Sequence, residues 1–178
     1  EDRAALRDPA RLKGLRVPDP LGGGRMHDRI RAIEILRRQA GPGASVVGWV
    51  EGPLALAAEL RGLNRLMIDF LDEPGFVGDL LDFAAEVALA YAPAQIEAGA
   101  DTLGMSDAAA SMIAPELYET FVFPRQRRIL DAVRRRYPRV ITRIHMCGRT
   151  DPLHAIMGRL EADIYELDFP CDLGAGRR

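Results

Sequence analysis

The sequence predicts an α/β fold with a parallel sheet, either doubly wound or closed into a barrel. Short apolar, strand-like runs alternate four times with helical stretches, a pattern that places helices outside a parallel sheet. The strand runs show little polar alternation, as expected of strands covered on both faces. Each run ends in residues suited to chemistry, and in such folds sites form where the carboxyl ends of the strands open on one rim.

Residues 1–28 carry Pro18, Pro20 and Gly22-Gly23-Gly24 without clean periodicity and read as an irregular connector. A helix is predicted over Asp28–Gln39, with Asp28 as its cap and Gly41-Pro42-Gly43 as its stop. Ser45–Val50 reads as the first strand, running into Glu51-Gly52-Pro53. Short helices follow over residues 54–62 and Leu66–Leu71. A long amphipathic helix spans Gly75–Ala98, with Val77, Leu80, Leu81, Ala84, Val87, Ala88 and Tyr91 at core spacing and Gly99 as its stop. Asp101–Met105 is the second strand, leading to Ser106-Asp107. The helix after it is predicted over Pro115–Arg136, with proline placed in the first turn. Arg139–His145 is the third strand, residues 152–160 are helical, and Asp163–Leu167 is the fourth, left through Asp168-Phe169-Pro170-Cys171.

Composition narrows the function. The 178 residues are 48% hydrophobic and 28% charged with a formal net charge of −2, so a sizeable core is affordable and a nucleic-acid or anionic-membrane partner is disfavoured. No apolar run approaches the roughly 18 residues of a membrane span. With only Cys147 and Cys171 there is no disulfide framework, and a cytoplasmic, reducing setting is expected. The arginines from Arg125 to Arg136 read as a solvated helix face. No G-x-G-x-x-G follows a strand, which removes the main support for a dinucleotide fold.

Glu51, Asp107, His145, Cys147 and Asp168 fall at the four strand ends. Residues i and i+2 of an extended segment share a side, so His145 and Cys147 are expected to present an imidazole and a thiol together. That pair suits Zn2+, which accepts mixed nitrogen and sulfur ligands. The same residues also suit a buried cysteine beside a hydrogen-bonded histidine. Cys171, leaving the next strand, is the candidate third ligand within this chain. Asp107 and the small residues up to Ser111 allow close approach of a ligand, or else an aspartate capping a turn.

In order along the chain, several segments resemble the uroporphyrinogen decarboxylase superfamily. Gly48-Trp49-Val50-Glu51-Gly52-Pro53-Leu54-Ala55-Leu56-Ala57 is similar to its G-P-F-T-L-A segment, and Glu97-Ala98-Gly99-Ala100-Asp101 to its E-A-G-A-D. Asp107 to Pro115 resembles its D-x-x-A-S-x-x-S-P region, and Tyr118 to Pro124 its Y-E-x-F-V-x-P. His145-Met146-Cys147-Gly148 is similar to H-I-C-G, a motif of the methylcobamide:coenzyme M methyltransferase branch.

The resemblance implies a (β/α)8 TIM barrel present here as an incomplete fragment, about four parallel strands with flanking helices, one partial domain over residues 1–178. Both ends then read as cut, with open strand edges and an unfilled interior; poor stability is expected unless the chain forms a homodimer or the remainder is supplied. By the same resemblance His145 and Cys147 are zinc ligands, and the third ligand is a cysteine outside this chain, which weakens Cys171. Glu51 and Asp107 are implied as catalytic groups, and Gly52, Pro53, Ser111 and Asp168 as substrate-binding ones. The implied activity moves a methyl group between a methylcobamide, a corrinoid free or on a partner protein, and a small-molecule thiol. The alternatives are decarboxylation of uroporphyrinogen in porphyrin biosynthesis and non-catalytic tetrapyrrole binding. The tyrosine that decarboxylases carry in the G-P-F-T-L segment corresponds to Glu59 here, which counts against decarboxylation.

Overall fold

A computed structural model describes residues 4–176. Its centre is a four-stranded parallel sheet in the order β1 (Val47–Glu51), β2 (Thr102–Ser106), β3 (Ile141–Met146) and β4 (Ile164–Leu167). Each strand pairs with the next in sequence, so every crossover steps one place in the same direction, as in half of a (β/α)8 barrel.

Helices cover one face. They are α1 (Gly24–Ala40), α2 (Pro53–Arg61), α3 (Leu63–Asp72), α4 (Pro74–Glu97), α5 (Pro115–Leu117), α6 (Phe123–Arg136), α7 (His154–Met157) and α8 (Leu173–Gly176). Leu80, Leu81 and Ala88 of α4 and Ile129, Leu130 and Val133 of α6 pack with Val50, Leu103, Met105, Ile144 and Met146 of the sheet in one core. Each such leucine or isoleucine, taken fully out of water, contributes roughly 1.5–3 kcal/mol before entropy is charged against it. The polar sides of α4 and α6 are joined by Arg125–Asp82 at 2.8 Å, Arg136–Glu97 at 2.8 Å and Arg128–Glu86, so the arginines of α6 do form a solvated, ion-paired face.

Several expectations are corrected. α1 begins at Gly24, not Asp28, because Gly23 and Gly24 adopt φ of +97° and +71° and launch the helix themselves; Asp28 sits exposed within it. The connector is anchored rather than loose. Pro9–Gly14 makes a 3-10 turn, Leu6 is wholly buried with its amide donating to the Leu60 carbonyl at 2.8 Å, and Arg61 donates to the carbonyls of Leu6 and Arg7. The helix expected over Pro115–Arg136 is broken by a π turn at Tyr118–Val122. The stretch 152–160 is a 3-10, α, 3-10 succession.

β2 is buried on both faces as expected, from Thr102 to Met105, but β1 and β3 alternate in burial. Gly48, Val50, Thr142, Ile144 and Met146 are buried against the helices, whereas Val47, Glu51 and Ile141 are exposed and Trp49, Arg143 and His145 only half-buried. Register stacks this second face in layers: Val47, Thr102 and Ile141; then Trp49, Gly104, Arg143 and Ile164; then Glu51, Ser106, His145 and Glu166. It is the face that lines a barrel interior. Gly104 is required there, since a Cβ would fall 2.2 Å from the Trp49 ring.

At the other side of β1 the edge is closed locally. The Gly52 amide bonds the Ser106 carbonyl on β2, so by alternation Trp49 turns its amide and carbonyl away from β2. Gln95 of α4 takes both, accepting from Trp49 N at 2.8 Å and donating to Trp49 O at 3.0 Å. At the amino ends of the strands, the Glu97–Asp101 motif is structural. Gly99 has φ +114° with Arg37 packed against it, and Asp101 accepts from Ser45 Oγ at 2.6 Å and from Arg37.

Candidate functional site

The last interior-facing layer sits at the carboxyl ends of the strands. β3 brings His145 there because Thr142, Ile144 and Met146 claim the helix side, leaving Arg143 and His145 on the other. Two residues on, exposed Cys147 points the same way: His145 Nε2 and Cys147 Sγ are 3.1 Å apart. The other ring nitrogen, Nδ1, faces Glu166 Oε2 at 3.9 Å. Glu166 is itself ion-paired to Arg143, whose hydrogen bond holds the carboxylate below its ordinary range. Arg143 in turn lies 5.7 Å from the centre of the Trp49 ring.

Gly148 ends this arm with φ +82°, and a Cβ there would fall 2.7 Å from Ser111 Oγ. Ser111 is therefore brought to the same loop. Asp168, at the end of β4, accepts from the Gly148 amide at 2.7 Å and from the Phe169 amide at 2.8 Å, which keeps its carboxyl below the usual value. Cys171 does not join the His145–Cys147 pair. Its thiol donates to the Gly148 carbonyl at 3.3 Å and meets Thr150 N at 3.4 Å and Thr150 Oγ1 at 3.3 Å.

Glu51 lies two strands from His145 in the same layer, about 10 Å away at ~4.8 Å per strand. It borders a cleft of about 340 Å³ with Arg29, Trp49, Glu59 and Tyr91. Burial and then the nearby Glu59 raise its carboxyl, with Arg29 opposing.

Asp107 departs from the expectation that it lines this mouth. It is fully buried, and its oxygens accept from Ala55 N at 2.6 Å, Leu54 N at 3.4 Å and Gln126 Nε2 at 2.7 Å. The first two donors are free amides of the first turn of α2, so Asp107 caps that helix from the end of β2. Burial pushes its pKa up to about 6 while the three donors pull it down. Gln126 is oriented by Tyr118, whose hydroxyl donates to Oε1 at 2.7 Å. Gly52 and Pro53 are buried too: a Cβ on Gly52 would lie 2.4 Å from Asp107 Cγ, and Pro53 opens α2. They build the scaffold under the mouth rather than its lining.

Sequence reasoning missed Ser106, Arg143 and Glu166 of the interior face and Gln126 and Tyr118 beneath Asp107. Counting back by twos from each strand end would have found the first three. For the last two no sequence signal existed, because the π turn sets them.

The donors fit zinc in kind. Zn–N of about 2.0–2.1 Å and Zn–S of about 2.3 Å at a tetrahedral angle put the two ligand atoms about 3.5 Å apart, so these atoms need part by only about half an ångström. Among the described residues no group of three His, Cys, Asp or Glu could hold a metal, so the pair lacks a third protein donor there. No helix among the described residues is long and apolar enough to cross a membrane.

Comparison with known proteins shows the family. The chain is similar to the methylcobamide:CoM methyltransferase MtbA of Methanosarcina mazei (34% identical over 155 residues, 86% of this chain and 45% of that protein). It is similar to MtaA of Methanosarcina barkeri (32% over 148 residues, 82% and 42%). It also resembles the uroporphyrinogen decarboxylase of Prochlorococcus marinus (30% over 188 residues, 95% and 53%). A solved methyltransferase from Methanosarcina mazei superposes with a TM-score of 0.80 at 29% identity, over 88% of this chain and 46% of that one. The chain thus spans about half the length of the relatives it matches. The family profile described as uroporphyrinogen decarboxylase (URO-D) matches residues 3–178, and the chain belongs to that family.

Proposed function

We propose that this chain carries part of the active site of a zinc-dependent methyltransferase that moves a methyl group between a methylcobamide and a small thiol. The observation behind this reading is the imidazole nitrogen and the thiol 3.1 Å apart at the open end of the sheet, in a family whose similar members include methylcobamide:CoM methyltransferases. His145 Nε2 and Cys147 Sγ would hold the ion, with Cys147 binding as thiolate. The third ligand is supplied from beyond the described residues. When bound, the ion supplies Lewis-acid stabilisation of an acceptor thiolate near neutral pH. Glu51, too far off to be a ligand, orients the incoming substrate from across the mouth. Ser111 closes the near side, and Asp107, Gly52 and Pro53 hold the floor. A corrinoid, free or carried by a partner protein, is the methyl-bearing substrate.

Zinc analysis of the intact protein, with methylcobalamin and a panel of thiols followed by the absorbance change of the cobalamin, tests this. One equivalent of zinc and thiol-dependent demethylation are expected, and Cys147→Ser should lower the rate by more than about 100-fold, since even outer partners of a ligand cost 10–100-fold. Metal-free protein that releases CO2 from uroporphyrinogen would favour decarboxylation, the activity in the name of the Prochlorococcus relative. Neither activity, with tetrapyrrole binding retained, would favour a carrier.

A further inference from the structure

The chain leaving β4 is stitched to the arm leaving β3 by five contacts. Asp168 Oδ2 accepts from the Gly148 amide at 2.7 Å, and the Cys171 thiol donates to the Gly148 carbonyl at 3.3 Å. Cys171 also meets both the amide and the hydroxyl of fully buried Thr150, and the Asp172 amide donates to Asp151 Oδ1 at 2.7 Å. Both backbone polar groups of Gly148 are thus held by side chains of the next loop, one residue beyond Cys147. Any side chain at 148 would meet Ser111, whose hydroxyl would lie 2.7 Å from the added Cβ.

From this geometry we infer that Asp168 and Cys171 are positioning residues: they brace the Gly148 peptide and so hold the Cys147 thiol beside His145 Nε2. Their role toward a metal rests on the function proposed above; the bracing itself does not. An arm with free φ/ψ at Gly148 would let Cys147 swing off the imidazole, because glycine resists no backbone rotation. A carboxylate-to-amide bond is the stronger kind, so Asp168 carries more of the restraint than the Cys171 thiol. Neither side chain needs to touch substrate or ion for this.

Two measurements on the intact protein separate the bracing from the metal reading. In metal-free protein, amide hydrogen exchange at Gly148 should speed up about tenfold or more in Asp168→Ala, reflecting loss of a bond to a charged acceptor. Asp168→Asn, which can still turn an amide oxygen to Gly148, should restore most of the protection. Cobalt(II) titration should show a thiolate-to-cobalt band whose affinity falls about 10–100-fold in Asp168→Ala, less in Cys171→Ala, and little in Asp168→Asn or Cys171→Ser. Thermal melts and far-UV circular dichroism check that each variant is folded. Unchanged Gly148 exchange in folded Asp168→Ala overturns the bracing, whatever the cobalt result. Wild-type protein that protects Gly148 but binds no cobalt sinks the metal reading and leaves the bracing supported.

Discussion

Asp107 should make this fold more stable as mild acid is added, and Asp107→Asn should abolish the effect. The carboxyl is fully buried, and burial raises its pKa from 3.8 to about 6. A carboxyl whose folded pKa lies above its unfolded one binds its proton more tightly in the native state. Its charged form therefore weighs against folding above pH 6, and the penalty is relieved as pH falls toward the unfolded value. For pKa values of about 6 and 3.8, stability gained between pH 7 and pH 5 is on the order of 1 kcal/mol. Carboxyls held low in the fold, such as Asp101, Asp163 and Asp168, act with the opposite sign, but they lose stability only as pH passes below their unfolded range near 3.8. The window from pH 7 to 5 therefore isolates Asp107, with a smaller contribution of the same sign from Glu51. Urea unfolding of both proteins at pH 5, 6 and 7 measures it. The stability difference between wild type and Asp107→Asn should shift by on the order of 1 kcal/mol across that range, in favour of wild type at low pH. Profiles that run parallel within about 0.3 kcal/mol would refute the idea that burial dominates this carboxyl.

Gly52→Ala should cost about 1–3 kcal/mol in chemical denaturation, because the new methyl lands 2.4 Å from Asp107 Cγ in a filled space. Gly104→Ala meets the Trp49 ring instead, on the half-open face, so the ring should turn aside; a shifted emission of this single tryptophan reports it. Asp69→Ala should lower stability by about 3–5 kcal/mol in thermal or urea melts, because Arg61, 2.5 Å away and 4% exposed, is left as a buried charge with two carbonyls and the Phe76 ring but no counter-ion.

The parallel order of strands was legible in the sequence because each element is punctuated: Gly41-Pro42-Gly43, Gly62 and Gly99 end helices where local chemistry alone dictates it. The His145–Cys147 pairing was legible for the same reason, since a two-residue period in an extended segment needs no tertiary knowledge. Asp107 was misjudged because its burial depends on Gln126, nineteen residues on, reaching back through the π turn at Tyr118. The direction of Asp168 and Cys171 was invisible in the sequence: both turn to Gly148, in the loop after a different strand. The two-sided cover expected for the strands holds for β2 but not for β1 and β3, because Trp49 and Ile141 read as core by type, while only the register with β2 shows which way they face.

The grip of Gln95 on Trp49 bears on self-association. An outer strand with every second amide and carbonyl free is a template on which an extended segment of another molecule can be recruited, and repetition of that step seeds fibrils. Here the middle rung of β1 is already answered by a side chain from the same molecule, so an incoming strand must first displace an amide that makes two hydrogen bonds.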